Sequence, residues 1–93
     1  MKIQIDPHTL ERAEERGTNE AEIEEVIRSG FSIQAKQGRS AKAKVFPFHQ
    51  TRGRKFYEQK RVEVIYVTEG DTIVTITVYV FYGKWVPKDE DLL

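Results

Sequence analysis

The sequence has 93 residues, two histidines and no cysteine, which excludes disulfide staples, thiolate zinc sites and a cysteine nucleophile. Fifteen Lys+Arg offset fifteen Asp+Glu to a formal net charge of zero, but the signs are segregated along the chain. Residues 1–30 balance at −4, residues 31–62 at +8 and residues 63–93 at −4, so the middle third is as basic as a nucleic-acid-binding segment.

The length fits one domain spanning 1–93, with 7–85 as the folded core. Met1-Lys2-Ile3-Gln4-Ile5 has no apolar signal-peptide core, and Ile3 and Ile5 alternate with polar residues, as in an N-terminal arm or short strand over 1–6. Asp6-Pro7 reads as an N-cap followed by proline at the first helical position, and this helix should stop at Gly17. Leu10 and Ala13 are expected to point into the core. Asn19, with Glu22 three residues on, resembles a capping box opening a second helix, which buries Ile23, Val26 and Ile27 and ends at Ser29-Gly30. The glutamates of this helix read as a solvated face.

After Gly30 the apolar period changes from helical to two. Phe31, Ile33 and Ala35 alternate, Gly38-Arg39-Ser40 is turn material, and alternation resumes from Lys42 to Phe48 until Pro47 weakens it. Residues 49–55 read as a basic loop. A strand follows over about 61–68, then a tight Glu69-Gly70-Asp71 connection and the longest strand, 72–82. In that strand Val74, Ile76, Val78 and Val80 should face the helices and Thr75, Thr77, Tyr79 and Phe81 the other side. The fold expected is α+β, with two N-terminal helices packed on a four-stranded antiparallel sheet whose centre is the last strand. The acidic tail, 86–93, is expected to fray. No apolar run is long enough to span a membrane, and a cytoplasmic protein, monomeric or homodimeric, is expected.

His8, Arg12 and Arg16 recur at four-residue intervals and form one stripe on the first helix. The stripe is cationic and holds a side chain that titrates near neutral pH, but Glu11, Glu14 and Glu15 lie at bridging distance along the same helix. The basic stretch contributes Arg39, Lys42, Lys44, Arg52, Arg54, Lys55, Lys60 and Arg61, flanked by Phe46, Phe48, Phe56 and Tyr57 as planes on which bases could stack. With only His8 and His49 as imidazoles, neither a metal site nor a cofactor is expected.

The spacing His8-x3-Arg12-x3-Arg16-Gly17 ahead of an acidic helix resembles a family of small prokaryotic domains of unknown function. The stretches from Gly53 to Val62 and from Val74 to Gly83 share that resemblance, which covers roughly residues 8–85. The family is placed near the RelE/ParE and BrnT toxins, in the barnase–EndoU–colicin–RelE group of metal-independent ribonucleases. The resemblance implies a RelE-like fold, RNA as substrate and an antitoxin protein as partner. It also implies cleavage by attack of the ribose 2′-OH on the adjacent phosphate. Its site residues would be His8 as base or acid, Arg12 and Lys60 as charge stabilisers, and Thr77 as hydrogen-bond donor or positioning group, with Arg16 and Tyr79 as further RNA contacts. The basic segment itself adds Arg39, Lys42, Lys44, Arg52, Arg54 and Lys55 as candidate phosphate contacts and Tyr57 as a stacking plane. The neutral net charge departs from the strongly basic toxins, and the alternative is a non-catalytic RNA- or protein-binding module on the same fold.

Overall fold

A computed structural model describes residues 1–85; the expected frayed tail lies outside them. The element order is β1 (Lys2–Gln4), α1 (Pro7–Arg16), α2 (Glu20–Ser29), β2 (Phe31–Ile33), β3 (Ser40–Arg52), β4 (Lys55–Glu69) and β5 (Thr72–Gly83). Both helices start and stop on the expected signals. The Asp6 carboxylate accepts from the His8 N–H, Pro7 opens α1, and Gly17 (φ 95°) closes it in the left-handed region. Asn19 caps α2 by accepting from the Glu22 N–H.

The sheet differs from expectation. It has five strands in the order β1-β5-β4-β3-β2, and the β1–β5 pair is parallel, so a four-stranded antiparallel sheet is corrected to a mixed one. β1 is three residues long and pairs with a partner seventy residues away, which leaves almost no local pattern. Ile3, on the helix side opposite Ile73, and Ile5 pack against the core. The central strand is β4, not β5. Residues 49–55 are not a loop: β3 and β4 continue to a turn at 53–54. Pro47 lies on β3 beyond the end of β2, where β3 is an edge strand and proline is tolerated.

A bulge at Ile76 shifts the facing of β5. Tyr66 pairs with Thr75 and Ile65 with Thr77, so Ile76 is the extra residue. Ile73 and Thr75 therefore face the helices before the bulge, and Val78 and Val80 after it. Val74 and Ile76, expected in the core, are outside it. Thr75 replaces them: its hydroxyl donates to the Thr9 hydroxyl at 2.9 Å and accepts from the Asp6 N–H at 3.0 Å. Leu10 is exposed, and the buried face of α1 is Thr9 and Ala13. Ile23, Val26, Phe46, Val62, Val64 and Tyr66 complete a core on one side of the sheet only. The other side is uncovered by any described element.

Candidate nucleic-acid interface

The basic strands lie under the acidic helices, and folding itself uses much of their charge. The last carbonyls of an α-helix lack intrahelical donors and carry partial negative charge, so strand cations beneath them are held there. Lys60 is buried and donates to the Gly17 carbonyl at 2.9 Å and to Glu22 at 2.7 Å. Glu22, read as part of a solvated face, also accepts from the Thr18 hydroxyl. Arg52 donates to the Glu15 carbonyl at 2.9 Å, and its guanidinium lies 4.9 Å from the Tyr82 ring centre. The Tyr82 hydroxyl donates to the Arg16 carbonyl. Burial pushes the Tyr82 phenol above the usual tyrosine value, and nearby Arg52 pulls the other way. Lys42 donates to the Ile27 carbonyl at the end of α2, and Lys44 bridges Glu25 and Ser29. Tyr57 packs against Tyr82, with ring centres 5.6 Å apart.

The residues singled out for catalysis lie on different surfaces. His8 is exposed near the start of α1, with its imidazole 3.7 Å from Glu11. Arg12 donates to Glu15 at 3.0 Å along the same helix. Lys60 is under the helices, while Thr77 lies on the opposite, uncovered face of the sheet. Arg16 bridges the two sides. It donates to the Val78 carbonyl at 2.6 Å, on the stretch of β5 that has no strand beyond it, and its guanidinium is 5.0 Å from the Tyr79 ring centre.

The uncovered face is ordered by cross-strand pairing, which sets directly opposed residues side by side. One row reads Phe31–Ala43–Glu63–Tyr79, the next Ile33–Ala41–Ile65–Thr77, and on the other side Val45–Arg61–Phe81. Phe31, Tyr79 and Phe81 are 48%, 42% and 48% exposed. Ala41 and Ala43, between the larger side chains, are buried. Glu63, in the middle of this face, is paired with Arg61 at 2.9 Å, and Arg61 lies 5.2 Å from the Phe31 ring centre. Beside Tyr79 an open concavity of about 590 Å³ is lined by Gln34, Ala35, Lys36, Arg39, Ile65, Thr77 and Tyr79. Its charged side chains are both cations, and neither Lys36 nor Arg39 has a carboxylate partner among the described residues. Arg39, Thr77 and Tyr79 thus meet at one place, with Arg16 at its rim. Arg54 and Lys55 lie apart, at the β3–β4 turn.

A family model described as "Domain of unknown function (DUF4258)" matches residues 5–80, from the end of the N-terminal arm through most of β5. The chain belongs to this family. Searches of curated proteins and of solved structures gave no match. The DUF4258 match names no activity and does not link the chain to RelE/ParE or BrnT toxins.

Two exposed aromatic residues on the uncovered face of this DUF4258 domain, Phe31 and Phe81, are not among the candidate site residues of the sequence. Phe31 looked like one more apolar residue of an alternating strand, and only the edge position of β2 leaves its ring in solvent. Phe81 falls on the face of Tyr79 by alternation, but nothing in its local sequence separates an exposed ring from a core ring. Among the described residues no group of three or more His, Asp or Glu is placed to hold a metal, and no helix is long and apolar enough to cross a membrane.

Proposed function

We propose that this DUF4258 domain is a non-catalytic module that binds single-stranded RNA across the uncovered face of its sheet. The observation that carries the reading is the grouping of three exposed aromatic rings in adjoining rows beside the unpaired cations Lys36 and Arg39, with Arg16 over Tyr79 and the central Glu63 already neutralised by Arg61. Exposed aromatics on a sheet give unstacked bases a plane to stack on, and cations at the rim take the phosphates. The hydroxyl of Thr77 and the amide of Gln34 supply hydrogen-bonding groups in the concavity. Tyr79 and Phe81 are two positions apart on β5, a separation of about 7 Å that suits successive bases of one strand.

Fluorescence anisotropy with a labelled, unstructured RNA tests this. Tyr79→Ala with Phe81→Ala removes two planes, each worth about 1–3 kcal/mol, so affinity should fall at least tenfold with the fold intact by circular dichroism. Unchanged affinity in the double variant would refute the assignment.

A second reading, metal-independent cleavage by 2′-OH attack with an antitoxin-type partner, is favoured by one observation. Arg16 carries the His8–Arg12–Arg16 stripe to the rim of the face that holds Tyr79 and Thr77. The same RNA, followed for integrity, separates the two. Cleavage lost about 10²–10⁴-fold in His8→Ala would make the domain a nuclease, and intact RNA at saturating protein leaves it a binder.

A further inference from the structure

The β3–β4 hairpin outruns the sheet. The last residue of β5, Gly83, pairs with Gln59, whereas β4 begins at Lys55 and pairs with β3 up to Arg52. The end of the hairpin is therefore a two-stranded ribbon. Residues 49–57 hold three Lys or Arg and no acid. Arg52 is turned back onto the end of α1, and Lys55, directly opposite it, lies 5.7 Å from the Tyr57 ring centre, but neither Arg54 nor Lys55 has a carboxylate partner among the described residues. Phe56 is 55% exposed. Gly53, at the turn (φ 66°), has nothing within 4 Å of where a Cβ would sit, so the turn itself is open to solvent.

We propose that this tip is a second contact for the same RNA strand, with Arg54 and Lys55 gripping phosphates and Phe56 offering a further stacking plane. The inference rests on the RNA-binding reading above and adds a length requirement to it. Glu63 lies beside Tyr79, and Lys55 is eight residues away along β4, a distance of roughly 26 Å. At the spacing of about 7 Å per nucleotide set by Tyr79 and Phe81, a strand needs about four steps, so about five nucleotides, to cover it. An RNA of about three nucleotides thus reaches the face alone. One of about twelve reaches both contacts and gains from the high effective concentration of the second.

The test compares these two RNAs on the wild-type chain and on a variant carrying Arg54→Ala and Lys55→Ala, over a salt series. For the long RNA the variant should bind more weakly, and its log K against log salt should be shallower by about 1.4, for two single-strand phosphates at about 0.7 each. The short RNA should bind both proteins equally. A variant with Arg54→Lys and Lys55→Arg should keep the wild-type slope, which separates charge from any effect on the turn. Equal losses for both RNAs would overturn the two-contact arrangement. No loss for either would remove the tip from RNA binding and overturn the inference. Failure of the wild-type chain to bind either RNA would instead bring down the open-face reading and this inference with it.

Discussion

At the scale of single residues, a cation's role here depends on which side of the sheet it stands. Lys60, Lys42, Lys44 and Arg52 all come from the basic stretch, yet each is bound to a helix carbonyl or a glutamate. Tyr82 belongs to the same lock, and its raised pKa fixes the sign of a pH effect. As pH rises through about 10, the unfolded chain releases this proton before the folded one, so the stabilisation present below that pH is lost above it. Tyr82→Phe removes the hydrogen bond to the Arg16 carbonyl and should cost about 0.5–1.5 kcal/mol at pH 7. The gap to wild type should narrow in urea unfolding at a pH above 10. A gap that stays constant or widens would mean that the phenol's environment does not favour its neutral form.

At the scale of elements, the bulge in β5 decides what the sheet presents on each side. It buries Thr75, which satisfies the Asp6 N–H where β1 hands over to α1. Thr75→Val keeps the shape but leaves the Asp6 N–H and the Thr9 hydroxyl without this partner. A loss of about 1–3 kcal/mol is expected in thermal or urea unfolding, and a neutral result would mean that the pair is dispensable. The helices were legible because their caps and apolar spacing are local: Asp6-Pro7, Gly17, Asn19 and the Ile23–Val26–Ile27 stripe all sit within one turn of what they specify. The β4–β5 connection was legible for the same reason, through Gly70. The parallel β1–β5 pair was not, since three residues carry no period and their partner is remote. The bulge was hidden because Val74-Thr75-Ile76 reads as unbroken alternation, and an inserted residue leaves no mark on composition. Of the site, Arg39, Thr77 and Tyr79 were visible as residue types, but their meeting depends on strand order, which the sequence pattern does not carry.

At the scale of the whole molecule, the segregation of charge along the chain is resolved in three dimensions. The acidic helices sit on the basic strands, so the middle third's excess is drawn inward on one side of the sheet. What remains outward-facing and unpaired is split between Lys36 and Arg39 beside the aromatic face and Arg54 and Lys55 at the ribbon tip. The zero net charge of the chain is therefore compatible with two local anion-binding regions, and any RNA affinity should be strongly salt-dependent. The central claim is that the uncovered face, and not the helix side, meets the RNA. Titration of the uniformly ¹⁵N-labelled protein with single-stranded RNA, followed through its backbone amide resonances, tests it most directly. The account predicts that the largest shifts fall on residues 31–36, 61–65 and 77–81. Shifts confined to the outer surfaces of α1 and α2, with those strands unmoved, would contradict it.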